Sequence, residues 1–319
     1  METVVNVALP VFAIILAGVL AGKAGILGQS ASEALNKFVY WVALPPLLFL
    51  AMARTPVAEI LHWPFIGAFL GGVLATWAGA SLLGVLVHRD SPAILTMQGM
   101  SASFSNTGYM GIPLFAAAFG DRGLPPASIA TVIMSAVSVG LAVVALELSG
   151  RAGERGGIGR ALADVGLALA KNPLVVTPVV GIAWSWWQLP VPLPADRLFG
   201  LLGAAASPCA LFAIGLFLAT QSLRSDLGEV GWITVLKLLW QPIVTWALAV
   251  WVFPMDPFWT MSAILLAALP TGALTFVVAS QYGVYVQRAS AVILISTVFS
   301  VITLSILLAI YGPRFAPAG

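Results

Sequence analysis

Residues 98–115 read QGMSASFSNTGYMGIPLF. They lie where hydropathy demands a membrane-spanning helix, yet the centre carries Ser101, Ser103, Ser105, Asn106 and Thr107, then Gly108, Gly111 and Pro113. A lipid-facing helix avoids such a centre. A looser echo, ILLAALPTGALTFVVAS at 264–280, carries Pro270, Thr271, Gly272 and Thr275. Backbone opened at membrane depth leaves N–H and C=O groups costing several kcal/mol each unless protein or a wet cavity satisfies them. Two interrupted spans in corresponding positions of two halves are the best sequence pointer to a transporter's substrate site. The pair predicts a secondary transporter with its site where the two broken helices meet.

The rest of the composition agrees. The chain has 319 residues, 60% hydrophobic and 8% charged, with a mean hydropathy of +1.02. A soluble core this apolar has too little polar surface to cover itself, so an all-α polytopic membrane protein is expected. Strand alternation is absent, which argues against an outer-membrane barrel. A net charge of +2 without a basic run gives no reason to expect nucleic acid. The single Cys209 precludes an internal disulfide, and no Cys/His cluster suggests a metal, so no cofactor is expected. The N-terminus METVVN lacks the positive n-region of a cleaved signal peptide, so the first span is expected to be retained.

Ten spans fit: about 5–22, 33–52, 64–87, 92–119, 126–148, 172–188, 196–219, 229–252, 257–281 and 289–311. They divide the chain into a first five-helix repeat at 1–150, a linker at 151–171 and a second repeat at 172–319. Ser91-Pro92 and Asp256-Pro257 read as N-caps followed by first-turn prolines, starting the two special spans alike. Within the linker, Ile158, Leu162, Val165 and Leu169 recur at helical spacing with Arg160, Asp164 and Lys171 opposite. That suits a helix lying in the interface, or an extension of the sixth span. Joints after odd-numbered spans, with their edges, hold Lys23, Lys37, Arg89, Arg151, Arg155, Arg160, Lys171, Arg224 and Arg288; the other side holds Arg54, Arg122, Arg197 and Arg314. Nine against four places the first set in the cytoplasm and both termini outside the plasma membrane, the inner membrane of a bacterium.

The halves echo each other. LPPLLF at 44–49 resembles SPCALF at 207–212, aligning Pro45 with Pro208. Sixty residues separate Pro45 from Ser105 and 62 separate Pro208 from Pro270, so Ser105 and Asn106 correspond to Pro270 and Thr271. Five spans per copy is odd, so the second copy must be inverted, with the broken spans fourth and ninth.

Within this frame Asn106 is the leading candidate. Capping a second half-helix, it sits beside free N–H groups and a partial positive charge suited to a carboxylate. Ser105, Thr107, Pro270, Thr271 and Gly272 complete the expected site, and Ser103 reads as a packing residue. Pro45, Pro46 and Pro208 either line the substrate path through freed carbonyls or kink their helices for packing. Lys237 is the deepest charge, and Gln241 lies one turn further on. Lys237 either attracts the anion and couples transport, or snorkels to the headgroups or pairs with Glu147, the reading favoured from sequence. No Asp or Glu sits unambiguously mid-span, so a carboxylate proton relay or charged sodium cage is not visible, though carbonyls alone can hold sodium.

Four stretches carry a family resemblance: FVYWVALPPLLF at 38–49, SNTGYMGIPLF at 105–115, SPCALFAIGLFLA at 207–219 and ALPTGALTFVVASQYGV at 268–284. With them the chain resembles the auxin efflux carrier family, the PIN-like carriers of plants and their bacterial relatives, over nearly its whole length. The resemblance implies ten helices in two inverted repeats with the fourth and ninth broken and crossing. It implies a scaffold domain (spans 1, 2, 6 and 7), a transport domain (spans 3–5 and 8–10), homodimers through the scaffold, and elevator transport of organic anions. It assigns Asn106 to the substrate carboxylate. Ser105 stands where the plant carriers have a proline, and their long cytoplasmic loop is missing. Bacterial relatives include proposed malonate carriers, so the plant hormone does not carry over as substrate. The rivals are an anion channel, an intramembrane enzyme and a receptor. His62 and His88 both lie at joints, so no span offers a serine a buried His base, and no paired aspartates appear.

Overall fold

A computed structural model describes residues 9–88, 90–149, 163, 166, 167, 170–220 and 227–315. Most of the linker helix expected at 158–171, and Arg89, Arg151, Arg155, Arg160 and Arg224 of the charge count, lie outside the described residues. The described chain is helical throughout. Among the described residues six helices are long and apolar enough to cross a membrane: Gln29–Ala53, Trp63–Val87, Thr107–Leu148, Leu193–Thr220, Leu227–Val252 and Val286–Tyr311. Shorter apolar helices cover Leu9–Lys23, Pro173–Trp186 and Pro257–Ala267.

Small residues set one set of contacts. Helix α1 (Leu9–Lys23) lies backbone to backbone on α12 (Ala206–Thr220). A Cβ at Gly18 would overlap the carbonyl of Phe212, and one at Gly215 would overlap that of Ile15. Such small-residue seams drive association where lipid removes the hydrophobic force between helices. Beside them α3 (Leu44–Ala53) packs on α10 (Pro173–Trp186) and α11 (Leu193–Ala204). A second group forms around α5 (Trp63–Leu83), which packs on α6 (Pro92–Ser103), α14 (Gln241–Ala247) and α15 (Pro257–Ala267).

Prolines widen several helices. Proline has no N–H and its ring crowds the carbonyl four residues back, so the ladder must adjust. Five-residue π-helical turns at Val39–Ala43, Thr107–Gly111 and Leu236–Trp240 each end two residues before Pro45, Pro113 and Pro242. Leu44, Ile112 and Gln241 donate instead to Val39, Thr107 and Leu236, five residues back. Two of these turns hold Thr107 and Lys237.

The expected starts of the special spans differ from each other. Asp256 accepts from the N–H groups of Phe258 and Trp259 (3.0 and 3.3 Å), a true cap. Ser91 occupies the same position before Pro92 without a side-chain cap bond. Ser91 is exposed, so water satisfies its turn at little cost.

Candidate functional site

Both interruptions fall where the sequence placed them. Helix α6 ends at Ser103, and a helical turn resumes at Thr107. Helix α15 ends at Ala267, and α16 (Leu274–Tyr282) resumes after Ala273. The two gaps lie against each other. Ser105 and Thr271 form an antiparallel bridge, the N–H of Asn106 donates to Pro270 O (2.9 Å), and that of Gly272 donates to Phe104 O (3.0 Å). Each break thereby satisfies backbone groups that the other exposes. Thr271 adds two ties: its hydroxyl donates to Ser101 O (2.7 Å) and its N–H to Ser296 Oγ (3.1 Å). Gly272 permits the approach, because a Cβ there would lie 2.7 and 2.8 Å from Phe104 ring atoms and 3.2 Å from Asn106 Cα.

The half-helix C-termini are capped by side chains from another part of the chain. Lys237, expected to snorkel or to meet Glu147, does neither. It is fully buried, and its Nζ donates to Ser105 Oγ (3.0 Å), Gln241 Oε1 (2.5 Å) and Ala267 O (2.7 Å). Gln241 Nε2 donates to Ser103 O (3.0 Å). One side chain thus reaches the end of α15 and the other the end of α6. Snorkelling loses because Lys237 sits in a turn packed against α5, α6 and the helix Val286–Phe315, with these acceptors at its tip. Glu147 instead accepts from the Tyr282 hydroxyl at 3.1 Å.

The N-terminal sides converge on a small hollow. It is lined by Tyr40, Phe104–Tyr109, Thr131, Met134, Ser135, Leu174, Ala273 and Leu274, with a volume of about 20 Å³. That is room for roughly one water. The N–H groups of Gly108, Tyr109, Ala273 and Leu274 meet no acceptor among the described residues. Asn106, 5% exposed, occupies the N-cap position but its side chain makes no cap bond. The carboxamide is left available to the hollow.

Other sequence candidates separate. Ser105, Asn106 and Thr107 line the hollow, while Pro270, Thr271 and Gly272 are buried in the paired breaks and do not line it. Ser103 spends its hydroxyl on Gly99 O (2.8 Å), a packing role as expected. Pro45 and Pro46 line a different, apolar cavity between α3, α10 and α11, and Pro208 is exposed. None of the three prolines touches the hollow.

Sequence reasoning missed a polar network below the breaks. Buried Glu229 pairs with Arg288 (2.6 Å) and accepts from Tyr285 Oη (2.5 Å) and Gln98 Nε2 (2.6 Å), which also donates to Asp90 (2.7 Å). Its one sequence signal is Gln98, a polar residue inside α6, five positions before the helix ends at Ser103. A second cavity, about 870 Å³, runs between the tips of α3, α7 (Ile112–Phe119) and α11, with Arg54, Asp121, Arg122 and Asp256 on its walls. It reaches Ile112 and Pro113 but not the breaks.

A polytopic helical chain with two paired interruptions and a charged group held between them is built as a membrane transporter. It belongs to the membrane transport protein family, whose model matches residues 3–155 and 158–308. It is 33% identical over 320 residues to a Rhizobium meliloti (strain 1021) protein named "Putative malonate transporter", covering 100% of this chain and 99% of that one. It is 25% identical over 304 residues to "Uncharacterized transporter YfdV" of Escherichia coli (strain K12), covering 92% and 93%. It is 26% identical over 156 residues to "Probable auxin efflux carrier component 5b" of Oryza sativa subsp. japonica, covering 46% of this chain and 42% of that one. The auxin efflux carrier resemblance therefore holds, and these relatives are transporters and not enzymes.

Proposed function

We propose that the chain carries a small carboxylate across the bacterial inner membrane as a secondary transporter, bound in an enlarged form of the hollow at the paired breaks. The observation that carries this reading is the convergence there of two half-helix N-termini and the free carboxamide of Asn106. Free N–H groups and the positive end of the helix dipole suit an anion. The relative named for malonate makes malonate the first substrate to try.

Ten spans in two inverted repeats belong to the same proposal. Under the alignment of Ser105 with Pro270 and Asn106 with Thr271, the pair Ser105–Thr271 maps onto Pro270–Asn106, and both contacts are present. A twofold relation between the halves produces such a self-exchanging pair. The two helix groups support an elevator: α1, α3, α10, α11 and α12 as scaffold, α5, α6, α14 and α15 within the moving part. The volume agrees, since a hollow sized for one water must open before a carboxylate enters. A homodimer through the scaffold completes the proposal.

The test is malonate binding by titration calorimetry on purified Asn106 variants. A hydrogen bond to a charged group contributes roughly 1.5–3 kcal/mol, so Asn106→Ala should weaken affinity about 10- to 150-fold. Because Asn106 makes no cap bond, the variant should purify with nearly wild-type thermal stability. Asn106→Asp should abolish binding by repelling the anion. Affinity within about twofold of wild type in both variants places the substrate elsewhere. Saturable uptake with counterflow marks a carrier; single-channel currents mark a channel.

A further inference from the structure

We propose that the thioether of Met134 stands in for the substrate in the empty protein: it holds the N–H of Ser105 until a carboxylate displaces it and takes that N–H. The inference rests on the carboxylate reading of the hollow, and it names a donor and a plug within it. Ser105 and Thr271 face each other in the antiparallel bridge, whose bonds are made by the flanking Asn106 N–H and Phe104 O. The N–H of Ser105 is therefore turned away from Thr271. It donates to Met134 Sδ at 3.3 Å, and both residues line the hollow. The Ser138 hydroxyl donates to the same sulfur at 3.8 Å.

A thioether is a weak acceptor, and an N–H freed by a break at membrane depth calls for a strong one. A hydroxyl or a carbonyl would meet a permanent need better. A long, unbranched side chain with three rotatable bonds fills a gap and can leave it. The backbone is shaped to put it there. Helix α8 (Leu124–Ile133) runs into α9 (Val139–Leu148) through a π-helical turn at Met134–Ser138, where Val139 donates to Met134 O five residues back. No proline explains that turn: residues 127–172 contain none, whereas Pro45, Pro113 and Pro242 follow the others closely. Single π-helical turns inside longer helices frequently mark functional sites. Met134 is 1% exposed, and its side chain closes a hollow with room for roughly one water. Its withdrawal frees the N–H and the space for an anion in one movement.

An acceptor that stabilises only the empty state competes with the ligand, so removing it must tighten binding. The full-length protein in detergent is titrated with malonate, and with a panel of mono- and dicarboxylates if malonate does not bind. Met134→Leu keeps the apolar bulk and removes the acceptor. Its melting temperature without ligand should fall, because a buried N–H is left unmet, and its affinity should be tighter by more than about twofold. Met52→Leu, at a buried methionine of α3 that does not line the hollow, should keep wild-type affinity within about twofold. A Met134 that merely packs would lower stability and leave affinity unchanged or weaker, and that result overturns the proposal. Equal tightening in Met52→Leu overturns it too. Selenomethionine protein, crystallised with and without the bound acid, needs no substitution. Anomalous scattering should place the selenium of residue 134 against Ser105 N when empty and out of hydrogen-bond reach when loaded. Selenium still on that N–H beside a bound carboxylate overturns the proposal, and this arm decides if Met134→Leu fails to fold. Wild type that binds no acid of the panel brings down the carboxylate reading itself. Wild type that binds with residue 134 unmoved brings down the stand-in alone.

Discussion

At the scale of single residues the paired breaks turn on one glycine and one hydroxyl. Gly272 lies where the two breaks meet, and a Cβ on it would lie 2.7 and 2.8 Å from atoms of the Phe104 ring. The ring is itself buried and cannot swing away freely, so Gly272→Ala forces it or the bridge to shift. Overpacking of this kind costs about 1–3 kcal/mol. We expect the variant to melt earlier and to lose malonate binding, because the shift moves Asn106 directly. Thr271 contributes through its bond to Ser101 O, leaving a buried carbonyl unmet when the hydroxyl is removed. Thr271→Val should destabilise by about 1–3 kcal/mol, read as a lower unfolding midpoint, with a smaller effect on affinity than Asn106→Ala. Equal losses of affinity for the two would place Thr271 against the ligand.

At the scale of elements, glycine seams and proline-driven turns divide the labour. The seam between α1 and α12 has no slack, since the atoms a Cβ at Gly215 would strike are main-chain atoms of Ile15, Gly18 and Val19. Backbone cannot move aside cheaply, so Gly215→Val should separate the helices. Thermal unfolding in detergent should show a loss of at least about 3 kcal/mol, at the upper end for overpacking. Gly200, with nothing near its Cβ position, provides the control: Gly200→Ala should change stability by less than about 0.5 kcal/mol. The π-helical turns act in the other direction. By widening before Pro113 and Pro242 they direct Thr107 towards the hollow and place Lys237 on the carbonyl end of α15.

At the scale of the whole molecule, the orientation rests on the charge count. With Cys209 replaced by Ser, a cysteine placed near residue 155 should be labelled only from the cytoplasm. One near 122 or 317 should be labelled only from outside. External labelling at 155 in sealed, oriented vesicles would reverse the orientation, and labelling of 155 and 317 from the same side would remove the odd-span argument for inversion. With the expected result, the cavity beside Arg54 and Arg122 opens to the outside and the hollow is closed from that side.

The sequence by itself determined the class of the protein and the place of the two breaks. An apolar, charge-poor chain has no alternative to spanning a membrane as helices, and polar or proline-bearing centres at 101–107 and 270–275 cannot be lipid-facing helix. These are local facts of composition and backbone chemistry, so they are legible along the chain. The pairing of Ser105 with Thr271 was not, although the repeat alignment put both residues at their breaks. Nor was the role of Lys237, 132 residues from Ser105 and 30 from Ala267. A lysine in an apolar run reads equally as a snorkelling stem or a buried ion, because the two differ only in which acceptors lie at the tip. Asn106 shows the same limit: its position marks a cap, but only the fold leaves its amide unbonded. Where a long side chain finds its partners depends on helices brought together from distant sequence, and tertiary structure alone decides that.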